Sequence, residues 1–235
     1  MRLRLSALLA ALSMFSVHAP VRAVPIVDIQ PVSICLDDGF SCGSMSYDAT
    51  ALQSFWLNQA GLSLNILPSR TFDSTTFQTM NDLTELENFL LTNADPSGPT
   101  NFTSSPITVW FSRGFAGGPL GLALISGNRI WLDSDDSADL LTLDFAHQLG
   151  HALGLQHTAI LTGTNLMDSS FAADAQLSDF SLDASQISAL LESNFIYNGA
   201  VAIPLPATLP LFAGGLTVLG LLGWRRKRNA IAVAR

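Results

Sequence analysis

The spacing of apolar residues marks a series of short elements through the middle of this chain. Over 48–60, apolar side chains recur at Leu52, Phe55, Trp56 and Ala60, the three-and-four spacing that gathers them on one helix face. Gly61 follows as a stop. Leu62, Leu64 and Ile66 alternate with polar residues, the period of a half-covered strand, and Pro68 closes it. Leu83, Leu86, Phe89 and Leu90 predict a second helix with Asp82 as its cap, and 94–106 is loop by its Pro, Gly and Ser content. The run ITVWFS at 107–112 reads as a strand. A further extended region covers 120–126 and 129–132, interrupted by a turn or bulge at Gly127 and Asn128. Near the end, Asp183 and Gln186 have the form of a capping box, ahead of an apolar face made by Ile187, Leu190, Leu191 and Phe195. Residues 24–45, with Pro25 and Pro31, are expected to form an irregular N-terminal strap, and 168–180 a loop. No internal repeat is present.

The two ends carry a different pattern. Arg2 and Arg4 precede an apolar run over 5–17 and a small-residue site at Val21-Arg22-Ala23, the form of a secretory signal peptide; the run is short for a bilayer span. At the other end, 207–224 holds 18 residues without a charge, about 27 Å as helix and close to the hydrocarbon thickness. Arg225, Arg226, Lys227 and Arg228 follow directly, which orients such a transmembrane helix with its C-terminus cytoplasmic. The expected organisation is a leader at 1–23, one domain at 24–200, and a C-terminal sorting segment at 201–235.

Charge sharpens the picture of the domain. All 19 acidic residues lie in 24–200, against the three arginines Arg70, Arg113 and Arg129, a net charge of −16. That argues against nucleic acid and anionic lipid surfaces as partners. It is compatible with solubility outside the cell, with calcium, or with cationic substrates. Asp133, Asp135, Asp136 and Asp139 form the densest cluster; it suits either calcium ligation or the N-terminus of a following helix. Cys35 and Cys42 are the only cysteines. In an exported chain, so close a pair is expected to form a small-loop disulfide; a free thiolate capping a metal is the other reading.

The candidate chemistry lies in DFAHQLGHALGLQHTAILTGTNLM, residues 144–167. His147 and His151 are four apart, so on a helix both imidazoles share one face. Gly154 can end that helix in a left-handed turn, letting His157 approach the same point. Three neutral imidazoles with a fourth position open is the arrangement of a catalytic zinc site. Asp144 projects from the same side one turn earlier. It is placed to orient a histidine as a hydrogen-bond acceptor, to favour the helix start, or to act as a base.

These residues resemble the signature of the metzincin zinc metallopeptidases, H-x-x-x-H-x-x-G-x-x-H followed by a methionine, and most closely the matrixin branch. Asn165-Leu166-Met167 is similar to the family's Met-turn. The resemblance implies an α+β fold: a twisted, mostly parallel sheet with an active-site helix and a C-terminal helix. It implies zinc held by His147, His151 and His157, and protein or peptide as substrate. It also implies that the strand before the active-site helix, residues Gly127, Asn128, Arg129, Ile130 and Trp131, is a sheet edge that pairs with substrate backbone. The apolar run Ile130-Trp131-Leu132 equally suits a buried strand. The departure is Gln148, where the family has its glutamate general base; a neutral amide cannot take a proton from water near pH 7. At the C-terminus, Ile203-Pro204-Leu205-Pro206-Ala207 with the apolar span and basic tail resembles the VPLPA-type exosortase sorting signals of Gram-negative bacteria. That implies an exosortase-type processing partner, transient or lasting membrane anchorage, and a cell-surface or extracellular destination. Two functions follow as expectations: a zinc endopeptidase impaired at Gln148, or an inactive zinc-containing module that holds peptides.

Overall fold

The computed structural model describes residues 23–78, 84–85, 88–89, 106–113, 119–159, 161–172 and 174–199. All but the last residue of the expected leader, the Asp82 cap, most of the 94–106 loop and the C-terminal sorting segment lie outside these residues.

In chain order the elements are β1 (Val24–Cys35), α1 (Ala49–Ala60), β2 (Ser63–Ile66), β3 (Arg70–Asp73), α2 (Thr75–Gln78), β4 (Ile107–Ser112), β5 (Gly121–Ala123) and β6 (Arg129–Asp133). They continue with α3 (Ala138–Ala152), a 3-10 turn (Leu177–Asp179), α4 (Ala184–Leu190) and β7 (Ile196–Gly199). Thr84, Glu85, Asn88 and Phe89 are helical, on the run where a helix is expected. The strands form one sheet in the order β2-β1-β4-β6-β5, with β3 and β7 also on β1. β1 runs parallel to β2, β3 and β4, and β4 parallel to β6. β7 on β1 and β5 on β6 are antiparallel. The fold is therefore mixed α/β with a mostly parallel sheet, as expected.

The expected strap is instead the central strand. Pro31 made VPIVDIQPVSIC read as irregular, since proline donates nothing to a ladder. It falls in a gap on one side of β1: β2 pairs up to Ile29 and β3 begins at Val32. Gln30 fills that gap with Nε2 bonds to the carbonyls of Pro31 and Pro68, at 3.1 and 2.8 Å. At the strand's end Cys35 and Cys42 are disulfide-bonded, closing the loop that follows. Both sulfurs are thereby removed from any role as a metal cap.

Alternation along the strands sorts side chains to two faces. Val27, Ile29, Val109, Phe111, Ile130 and Leu132 point to the core shared with α1 and α3. Val32, Ile34, Trp110 and Trp131 point to a second cluster with Phe89. Strands covered on both faces read as continuous apolar runs, which explains ITVWFS.

It also decides which strand is the edge. β6 lies between β4 and β5, and Ile130, Trp131 and Leu132 are fully buried. The expected substrate edge at 127–133 is thus interior, and Gly127 and Asn128 sit in the hairpin turn, where Gly127 N donates to the Leu124 carbonyl at 2.8 Å. Among the described residues the edge on this side of the sheet is β5, reached by a hairpin that local alternation does not distinguish from one interrupted strand.

α3 begins at Ser137, whose hydroxyl accepts from Leu140 N at 3.3 Å, and Asp139 lies in its first turn, where carboxylates favour the helix dipole. Leu141 through Ala152 are all buried, so the helix runs inside the domain rather than along its surface. It rests on β5 and β6 and against α1. Asp48 caps α1 through bonds to the amides of Thr50 and Ala51 and donates its own amide to Thr142 of α3 at 2.8 Å. The last helix carries the expected Asp183–Gln186 capping box but stops at Leu190. The chain past it returns as β7 along β1.

Trp131 tests the two-faced sheet. Trp131→Ala should lower unfolding free energy by ~3–5 kcal/mol, measured by chemical denaturation. A loss under about 1 kcal/mol would mean the second face is not a packed core.

Candidate metal centre

Residues 137–152 give a helix whose inner face presents His147 and His151 one turn apart. The helix is ended by Gly154 at φ +105, a conformation costly for any residue with a Cβ. Gly154 N donates to the His151 carbonyl and Leu155 N to the Gly150 carbonyl, both at 2.9 Å, the paired bonds of a Schellman ending. The reversal brings His157 back over the helix. The three Nε2 atoms lie 3.1, 3.1 and 3.2 Å from one another. Among the described residues this is the one set of three or more metal-donor side chains that converges, and it can hold a metal ion. The aspartates at 133, 135, 136 and 139 do not gather in this way.

The tautomers follow from the other ring nitrogens. His147 Nδ1 meets the Leu166 carbonyl at 2.7 Å and His151 Nδ1 the Leu155 carbonyl at 2.8 Å. A carbonyl only accepts, so each Nδ1 carries the proton and each Nε2 turns a lone pair to the common point. Burial pushes the His147 pKa down to about 4 and also lowers that of His151, so both rings are neutral at pH 7, the form a metal requires. Nitrogens bound tetrahedrally at ~2.0–2.1 Å would lie about 3.3 Å apart, close to the observed spacing. The donor set fits a small divalent ion.

Met167 lies beneath this cluster, buried. A Cβ on Gly150 would come within 2.5 Å of its Sδ, so the glycine between the two helical histidines is there to admit the methionine. The turn itself is held by Asn165, whose Oδ1 accepts from Met167 N at 2.8 Å, while its amide exchanges bonds with Gln186 of α4 at 3.0 and 3.1 Å. Asp168, also buried, accepts from Thr158 Oγ1 at 2.5 Å, Gly163 N at 2.7 Å and Thr162 N at 3.0 Å. It clamps the loop that carries His157 to the turn that carries Met167. Sequence reasoning missed both roles. Gly150 had a readable signal, since glycine inside a helix costs ~1 kcal/mol and needs a packing reason; Asp168 had none.

The histidines line a cleft of about 710 Å³ whose other walls include Gly121, Leu122 and Ala123 of β5 together with Asp144, Gln148 and Phe171. His157 is exposed at this side. Gln148 lies beside the histidines, with Nε2 donating to Asp144 Oδ1 at 3.1 Å, which leaves Oε1 as its available acceptor. Asp144 was expected to orient a histidine; backbone carbonyls do that instead, and Asp144 holds Gln148. Its other oxygen, Oδ2, is buried without a hydrogen-bond partner among the described residues. Burial, only partly offset by the Gln148 bond, raises the Asp144 pKa to about 7.

No protein-family profile and no curated protein matches this chain. Among solved structures it is similar to a crystal structure of metalloproteinase-II from Bacteroides fragilis, with 16% identity and a TM-score of 0.45 over 75% of this chain and 58% of that one. The chain thus spans less than two thirds of that protein's length, and the functional reading stands on the site's own geometry.

Two expectations follow. Gly150→Ala should displace Met167, costing ~1–3 kcal/mol and weakening metal retention against a chelator; unchanged stability and retention would remove the packing role. Asp144 titrates near ~4 when unfolded and about 7 when folded, so the folded chain binds the extra proton between these values. Its stabilising contribution is complete below pH ~4 and is lost as pH rises through 7. In metal-free protein, wild type should therefore lose up to about 4 kcal/mol relative to Asp144→Asn between pH 4 and 8. A pH-independent difference in denaturation would contradict the shift.

Proposed function

We propose that this chain is a zinc-dependent metalloendopeptidase with weakened water activation. The observation that carries the reading is the convergence of the Nε2 atoms of His147, His151 and His157 in a cleft that β5, the last strand of the sheet path among the described residues, helps to line. An ion held by His147, His151 and His157 supplies a Lewis acid for a peptide carbonyl and acidifies a water. The chain's own groups do the rest. β5, the edge strand, offers main-chain donors and acceptors to an extended peptide, which gives affinity without strict sequence demand. Gln148 Oε1 can accept a hydrogen bond from a water and hold it in place. It cannot remove the proton or pass it to the leaving amine, a loss on the order of 10²–10⁴ in rate. Asp144 reaches the reaction only through Gln148, so it does not replace the missing carboxylate.

Gln148 also favours a second reading, a zinc-containing module that holds peptides without cutting them. In either case we place the domain outside the cell, on the strength of the leader-like N-terminus and the IPLPA run with its apolar span and basic tail. An exosortase-type protease would process that tail.

The test uses the zinc-loaded full chain, quenched-fluorescent peptides and the variant Gln148→Glu. The glutamate would sit beside Asp144, and the pair would share a proton, as suits a residue that must take one and return it. We expect cleavage at least tenfold faster than wild type, abolished by chelator in both. One zinc per chain should be found, and none in His151→Ala. Equal, chelator-sensitive rates would refute the account of Gln148, and binding without cleavage by either protein would establish the peptide-holding module.

A further inference from the structure

Asp144 is the least satisfied polar group in the cleft. It is 4% exposed. One oxygen accepts from Gln148, and the other has no partner among the described residues. An unpaired buried acceptor costs ~1–3 kcal/mol, and more when charged. Its position is specific. A Cβ on Gly121 would run into Oδ2, so the carboxyl group lies directly against the backbone of β5. Gly121 and Asp144 both line the cleft.

We propose that Asp144 makes this part of the cleft a recognition site for a cationic side chain, lysine or arginine, of the bound peptide. This rests on the reading that β5 holds an extended peptide. A strand added at β5 sets alternate side chains toward α3, on the sheet face where Gly121, having no side chain, lets the buried Oδ2 lie against the β5 backbone. The unpaired oxygen requires a donor, and an ammonium or guanidinium group supplies both the donor and the compensating charge. The rest of the wall suits the stem of such a side chain. Leu122, Ile125 and Phe171 line the same cleft, and aliphatic stems lie along apolar surface while the charged head meets its partner.

Among the described residues no lysine or arginine side chain lines the cleft. The domain has three basic residues, Arg70, Arg113 and Arg129, and none of them lines the cleft. The carboxyl group titrates near neutrality as it stands, and an incoming cation would hold it ionised. The net charge of −16 over 24–200 draws cationic peptides to the domain as a whole.

The experiment separates this site from peptide cleavage. The zinc-loaded full chain is titrated calorimetrically with n-butylguanidinium, n-butylammonium and, as an uncharged control, n-butanol. Both cations should bind wild type at least fivefold more tightly than butanol, and Asp144→Asn should abolish that difference while Asp144→Glu retains it. Cleavage is then compared for peptides differing only in lysine, arginine, norleucine or glutamate at one position, scanned across the substrate. A basic residue at one position should raise kcat/KM at least tenfold over norleucine, and the ratio should fall below threefold in Asp144→Asn. No cation preference in wild type, or the same preference in Asp144→Asn, would overturn the proposal even if peptides are cut. Asp144-dependent cation binding with no peptide bound or cut would support the site while removing the reading of the cleft as a peptide groove.

Discussion

Three imidazole nitrogens within about 3.2 Å of one another cannot be left uncompensated, and the local architecture of this domain is arranged to hold them there. Two of the rings are fixed through Nδ1 by the carbonyls of Leu166 and Leu155, groups that can only accept. Each carbonyl belongs to a turn with its own support. Leu155 follows Gly154 in the helix ending, and Leu166 precedes Met167 in a turn tied to α4 through Asn165 and Gln186. The ligand geometry is therefore set by backbone from both sides of the loop that carries His157. Asp168 closes that loop onto the second turn. Helix, reversal, loop and turn form one circuit around the nitrogens.

The cluster was legible in the sequence because its geometry is local. A separation of four residues on a helix and a glycine that permits reversal encode direction without reference to the rest of the fold. The same holds for the cap at Asp183, whose partner lies three residues away. What failed depended on neighbours distant in sequence. β1 was hidden by Pro31, whose missing amide is harmless only because two different strands share one side of β1 and leave a gap there. The edge was assigned to 127–133, yet the buried run Ile130-Trp131-Leu132 already argued against exposure; deciding required knowing that β5 folds back outside it. Asp144 was correctly placed on the side of Gln148, one turn earlier. Its histidine partner was not found, because backbone carbonyls from later in the chain take that role.

The pairing of Gln148 with Asp144 gives the centre an unusual charge pattern. The two helical histidines are neutral, the neighbouring amide is neutral, and the one carboxyl group among the described cleft residues is set behind it against β5. Negative charge is displaced from the place where proton transfer would use it toward a wall where a bound chain would pass. On the proposed reading, recognition and reaction chemistry would fall on different residues one helical turn apart. In such an arrangement binding strength can persist while turnover declines.

The register of β7 on β1 places Val24 opposite Gly199, so the two ends of the folded unit are neighbouring rungs of one ladder. Only three residues separate Gly199 from Ile203. If, as proposed, a protease acts at the proline-containing run and a leader is removed at Ala23, each cut would fall only a few residues in sequence from the last paired residues of β7 and β1. On that proposal neither cut would remove a rung of the β1–β7 ladder, so the folded body could be complete before either end is trimmed.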